Sequence, residues 1–159
     1  MLAEVKTLQR TEKNTVTLVI DSDTGTRYIR KELCGPHPIY AQLQALSHPY
    51  LPKIFHVEET RTGVVLIEEF IDGANLAEIT LPEKQVMVLM EELCEALVFL
   101  HDQGILHRDI KPSNLLLAAD GHIRLIDFDA AREEKPNGDS DTRLLGTKGY
   151  APPEQYGFA

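Results

Sequence analysis

HRDIKPSN, residues 107–114, sets a histidine, an arginine, an aspartate, a lysine and an asparagine within eight positions. An apolar-periodic run precedes it and the strand-like NLLLA (114–118) follows it. These residue types suit a loop that carries chemistry. A polar turn joining a helix to a strand would use several of them too, and any one taken singly reads as a cap or a solvated turn residue.

Working outward, Val86, Leu89, Met90, Leu93, Leu97 and Leu100 recur at helical spacing between Pro82 and the DQG stop at 102–104, which predicts the longest helix of the chain. Cys94, inside this pattern, is expected to be a small buried hydrophobe. NLLLA and HIRLIDF read as two strands about an ADG hairpin turn. REEKPNGDSDTR (132–143) is charged and aperiodic, and is expected to be exposed and mobile. On the N-terminal side, VKTLQRTEKNTVTLV (5–19) predicts two strands around a polar turn, and DSDTG (21–25) leads into a third strand, TRYIRKEL. GPHP (35–38) breaks the chain before a short helix marked by Ile39, Leu43 and Leu46, which ends at SHP (47–49). KIFHVEE and GVVLIEEF form a further strand pair around TRTG (60–63), and DGANL reads as a linker. The expectation is an α+β chain in two lobes. Residues 1–71 hold a five-stranded antiparallel sheet with one helix, and residues 72–159 hold the long helix, the loop and a hairpin. A ligand is expected in the cleft between two such lobes.

With 159 residues and 43% hydrophobic content, the chain can bury a core. A net charge of -9 argues against nucleic acid as the main partner. No apolar run reaches signal-peptide or bilayer-spanning length, so a cytoplasmic location without membrane contact from this segment is expected. Cys34 and Cys94 lack CxxC spacing. His37, His48, His56 and His122 are expected to cap, pack or face water rather than bind metal.

Two more motifs, DFD (127–129) and GTKGYAPPE (146–154), follow HRDIKPSN in order. Together the three resemble the eukaryotic-type (Hanks-type) serine/threonine protein kinase family in a bacterial form. The resemblance implies a two-lobed kinase fold that transfers the ATP γ-phosphoryl group to protein serine or threonine hydroxyls, with Mg2+ or Mn2+. It makes Asp109 the residue that orients the substrate hydroxyl and accepts its proton. Lys111 becomes the cation reaching the moving phosphate, and Asn114 and Asp127 the metal ligands. Arg108 would pair with a phosphorylated activation-segment residue, Ser140 and Thr142 being candidate acceptors. Each of these hydroxyls also reads as simply exposed. Thr147 would contact the catalytic aspartate and shape the substrate site. His107 and Phe128 would pack in an internal spine, with Leu43 as a neighbour. YIRK makes Lys31 the phosphate-pairing lysine, with Val16 above the adenine and Glu69 and Ile71 as hinge backbone groups.

Four departures stand beside the resemblance. The phosphate loop LQRTEKNTV carries Gln9, Thr11 and Asn14 where glycines are expected, although Lys13 could supply some neutralisation. Ile39 falls where the family has a helix glutamate, and no acid lies between His37 and Tyr50. Glu68, at the back of the adenine pocket, is the expected substitute partner of Lys31, a solvent-facing strand residue being the alternative. Asp129 replaces the glycine after DF, which restricts rotation there. Lastly, PPEQYGFA closes the chain soon after the activation segment, where Glu154 would normally meet an arginine further on. A partial kinase domain of marginal stability is therefore expected. A serine/threonine protein kinase, with self-association or autophosphorylation left open, is the first functional expectation. The alternative is a pseudokinase, regulatory nucleotide-binding module or inactive fragment, and a small-molecule kinase is a weaker third.

Overall fold

The computed structural model describes residues 1–134 and 147–156. The chain divides into two compact units, Met1–Ser47 with Pro52–Ile71, and His48–Leu51 with Asp72–Ala159.

In the first unit β1 (Leu2–Arg10), β2 (Asn14–Asp21), β3 (Arg27–Cys34), β4 (Ile54–Glu59) and β5 (Gly63–Glu69) form one antiparallel sheet in the order β1-β2-β3-β5-β4. The helix α1 (Ile39–Gln44) lies between β3 and β4 in sequence, so β4 is placed beyond β5 at the sheet edge. Alternation along β5 buries Val64, Leu66 and Glu68 and leaves Gly63, Val65, Ile67 and Glu69 partly exposed, the period-two signature of a sheet with one packed face. β1 is exposed along its whole length and is irregular between Glu4 and Lys6 and between Thr7 and Gln9, bulges that blunt an open edge. α1 ends two residues before Leu46, the last of its apolar positions. Ala45 and Leu46 already close three-residue turns onto the Gln42 and Leu43 carbonyls, and Pro49 follows. Ile39, Tyr40 and Leu43 are its buried residues.

The second unit holds β6 (Gly73–Asn75), α2 (Glu83–Asp102), β7 (Ile105–Leu106), a 3-10 turn at Pro112–Asn114, β8 (Leu115–Ala118), β9 (Ile123–Leu125), β10 (Arg132–Glu133) and a second 3-10 turn at Pro153–Tyr156. β6, β8 and β9 form one small sheet, and β10 pairs with β7. Gly104, in the left-handed region at φ 69, donates to the His101 carbonyl and ends α2. Burying Leu89, Leu93 and Leu100 of α2 contributes about 1.5–3 kcal/mol per side chain.

Three expectations are corrected here. DGANL is not a plain linker: residues 73–75 are strand β6, paired with β8, and Gly73 approaches the Leu117 carbonyl too closely for any side chain. Arg132 and Glu133 belong to a strand pair, while the charged stretch from 135 lies outside the described residues. Cys94 is exposed. The buried face of α2 runs through Leu89, Glu92, Leu93, Ala96 and Leu100, and residue 94 is turned about 100° from Leu93. Among the described residues no helix is long and apolar enough to cross a membrane.

Candidate functional site

The loop after β7 turns sharply because Arg108 takes a left-handed conformation at φ 66, and Asp127 does the same at φ 64. Neither residue is glycine, so the surrounding contacts must hold both conformations in place. For Arg108 these include Nε donating to the Ala130 carbonyl at 2.8 Å and its own carbonyl accepting from Gln155 Nε2 at 3.0 Å. His107 anchors the turn from beneath. Its Nδ1 accepts the Asp109 N–H at 3.3 Å, which leaves Nε2–H to donate to the Ile126 carbonyl at 3.0 Å. The ring meets Phe128 edge-on at 4.8 Å. Burial holds the imidazole pKa below its ordinary value, against the opposing pull of the Ile126 carbonyl and of Asp127 and Asp109.

Asp109 is the most heavily bonded side chain of the loop. Its Oδ1 accepts the Thr147 hydroxyl at 2.7 Å, and its Oδ2 lies 2.9 Å from Lys111 Nζ and 3.0 Å from Asn114 Nδ2. Lys111 also donates to Thr147 Oγ1 at 2.7 Å, closing a ring of three side chains. Burial pushes the Asp109 carboxyl up. The donors Thr147, Lys111 and Asn114 outweigh it, and the group is held below the ordinary aspartate value. A carboxylate so stabilised is a better orienter of a hydroxyl than a strong base.

Asn114 is buried and donates a second bond, at 2.8 Å, to the Asp109 carbonyl. Both bonds use Nδ2, which leaves Oδ1 as the group suited to a cation. Asp127 Oδ1 accepts the Asp129 N–H at 3.2 Å. Among the described residues no cluster of three or more His, Cys, Asp or Glu forms a closed metal cage. One amide oxygen with one carboxylate is instead the donor set that suits Mg2+ completed by phosphate oxygens and water.

In the first unit Lys31 Nζ lies 2.9 Å from Glu68 Oε1, with both residues buried. Strand register sets Val16 opposite Lys31 and Leu66 on its other side, so the three share a sheet face. Glu69 N–H donates to the Lys53 carbonyl at 2.8 Å, its side chain accepts the Lys53 N–H at 3.1 Å, and Ile71 ends the unit. Ile39 is buried at the start of α1, a helix with no acidic residue in its first turn. At the β1–β2 turn the N–H groups of Asn14 and Lys13 donate to Thr11 Oγ1 at 2.9 and 3.3 Å. There a side chain satisfies backbone donors of the kind that a glycine loop offers to phosphate.

Ser140 and Thr142 lie outside the described residues. The sequence reading missed Glu92, whose Oε1 meets His122 Nδ1 at 2.7 Å while Oε2 accepts the Ile123 N–H at 2.9 Å. An acid three residues beyond Leu89, in phase with the buried stripe, was the signal available. Gln155, which braces Arg108, carried no such signal.

The protein kinase domain family matches residues 37–157, and the chain belongs to that family. It is 36% identical over 126 residues to rabbit (Oryctolagus cuniculus) protein kinase C zeta type, covering 73% of this chain and 21% of that protein. It is 29% identical over 157 residues to the serine/threonine-protein kinase PknB of Mycobacterium tuberculosis, covering 87% and 25%. The Mycobacterium leprae PknB is 28% identical over 151 residues, covering 84% and 24%. The chain thus spans between about a fifth and a quarter of the length of these relatives. Its residues correspond to the amino-terminal lobe and the first part of the carboxy-terminal lobe of a Hanks-type kinase with an α+β fold.

Proposed function

We propose that this chain handles a magnesium nucleotide and that its catalytic loop is built for phosphoryl transfer to a protein serine or threonine hydroxyl. The observation that carries the reading is the Asp109–Thr147–Lys111–Asn114 cluster, in which every polar side chain is aimed at one carboxylate. Asp109 would orient the acceptor hydroxyl and take its proton, and Lys111 would hold a phosphate oxygen as a compact positive charge. Asn114 and Asp127 would ligate the cation, with Mn2+ as a substitute, while Lys31, fixed by Glu68, would hold phosphate oxygens beneath Val16. The backbones of Glu69 and Ile71 would meet the base. Held by Asn114 and Asp127, the cation would supply positive charge to offset the negative charge that develops on transfer. Arg108 and the stretch containing Ser140 and Thr142 would regulate the segment. A cytoplasmic location and protein substrates accompany this reading.

A second reading, a regulatory nucleotide-binding module without turnover, rests on one observation: Thr11 occupies backbone donors at the β1–β2 turn. For these residues by themselves it is the better supported of the two. Transfer of phosphate from radiolabelled ATP to a generic basic protein, compared between the chain and Asp109→Asn, separates them. Metal-dependent transfer abolished by the substitution supports the kinase, and nucleotide binding without transfer in both supports the module.

A further inference from the structure

We propose that β1 is an interaction surface whose partner is the β1 strand of a second copy of this chain, laid antiparallel about a two-fold axis at Val5. β1 is an edge strand. It pairs with β2 on one side, and among the described residues no strand lies along its other side. All of its residues are exposed, and they include three large apolar side chains, Leu2, Val5 and Leu8, at 45%, 55% and 48% exposure. An edge of this kind is a template for a further strand.

The order of the residues selects which strand. In a symmetric antiparallel pair residue i meets j and j meets i, and the axis passes between two copies of one residue. With the axis at Val5, Leu2 stands opposite Leu8 of the second copy, Ala3 opposite Thr7, and Glu4 opposite Lys6. Apolar positions then meet each other, and both charge pairs are opposite in sign. Moving the axis to Glu4 sets acid against acid, and moving it to Lys6 sets ammonium against ammonium. β1 is therefore complementary to itself in this register and repelled in the two beside it.

The groups that would meet are accessible. Glu4 Oε1 lies 3.3 Å from Arg30 Nη1, yet the Glu4 side chain keeps 66% exposure. The ladder to β2 passes over Val5 and Leu8, which its two bulges leave without a partner on that strand. The same bulges make the edge a poor template for an arbitrary strand, so a partner has to match it position by position. A contact made by one strand from each copy is small, which places the dimer among weak, transient interfaces.

The test is sedimentation equilibrium of the full chain, of Glu4→Lys, of Lys6→Glu and of an equimolar mixture of the two variants, over a series reaching about 1 mM. Each variant alone opposes like charges across the axis, whereas the mixture restores attraction at both positions. Lys6→Glu leaves the Glu4–Arg30 pair in place, so it isolates the contact between copies. The parent is expected to form a dimer that salt weakens, each variant to associate at least about tenfold more weakly, and the mixture to recover the parent's association. A parent that stays monomeric throughout overturns the proposal. So does association that neither substitution changes, or a mixture that associates no better than its components. Far-UV circular dichroism checks that the variants fold, and if Glu4→Lys does not, Lys6→Glu against the parent decides. No nucleotide is needed, so the outcome is independent of the phosphoryl-transfer reading.

Discussion

Lys31 and Glu68 meet at 2.9 Å across two neighbouring strands, in a position where other kinases rely on a helix. Removing one member of a buried pair leaves an uncompensated charge and costs about 3–5 kcal/mol, whereas replacing both with apolar groups costs much less. Lys31→Met and Glu68→Leu are each expected to destabilise the chain strongly, and the double variant by less than either. Urea denaturation of all four proteins gives the coupling energy directly, and strictly additive losses would contradict the pairing.

Thr147 reaches Asp109 from the segment beyond residue 146 and holds one of its two oxygens. A hydrogen bond to a charged group is worth about 1.5–3 kcal/mol. Thr147→Ala is expected to raise the Asp109 carboxyl midpoint and, if the chain turns over, to slow transfer by roughly tenfold to hundredfold, since 1.4 kcal/mol is a factor of ten. Thr147→Ser should restore both. Carboxyl titration by NMR reports the first effect without needing any activity.

His107 carries a pH signature. Its buried imidazole is neutral in the fold, and its pKa is lowered from the ordinary 6.5 chiefly by burial. Below pH 6.5 the unfolded chain therefore binds a proton that the folded chain refuses. Stability is expected to fall progressively as pH drops through this window towards the lowered folded pKa. Protonated Nδ1 would also confront the Asp109 N–H that it now accepts. His107→Phe should flatten the pH dependence of the denaturation midpoint below the ordinary histidine pKa of about 6.5. An unchanged slope would place the acid sensitivity elsewhere.

Glu92 ties α2 to the turn before β9 through both carboxylate oxygens. Glu92→Leu removes the acceptor for the buried Ile123 N–H and is expected to cost about 1–3 kcal/mol. Glu92→Gln keeps an acceptor there and should cost less. Thermal denaturation of the two variants separates loss of the acceptor from loss of the charge.

The fold was legible wherever local pattern and packing agree. Alternation marked β2, β3 and β5, and helical spacing from Val86 to Leu100 marked α2. Legibility failed where the tertiary context overrides local signals. The strand at 73–75 is three residues long and owes its existence to β8, and Arg132 and Glu133 are a strand only because β7 is beside them. Cys94 was misplaced because an apolar side chain in the helical run was given a core position that Glu92 and Ala96 occupy. In the site, residue types announced Asp109, Lys111 and Asn114, and the resemblance implied the Thr147 contact with Asp109, while the Lys111–Thr147 bond that closes the ring joins residues 36 apart in sequence. Glu92 stayed hidden because an acid in phase with the buried stripe is only a hint of burial until its partners, His122 and the Ile123 N–H, are in view.

Calorimetric titration of the full chain with ATP, in Mg2+ and again in EDTA, tests the central claim most directly, with Lys31→Met and Asp127→Asn as comparisons. Binding that needs the metal and weakens at least about tenfold in each variant is the expected result, given charge-assisted contacts from both residues. Binding that is absent, or that survives EDTA and both substitutions unchanged, would contradict the roles proposed for Lys31 and Asp127 toward a magnesium nucleotide.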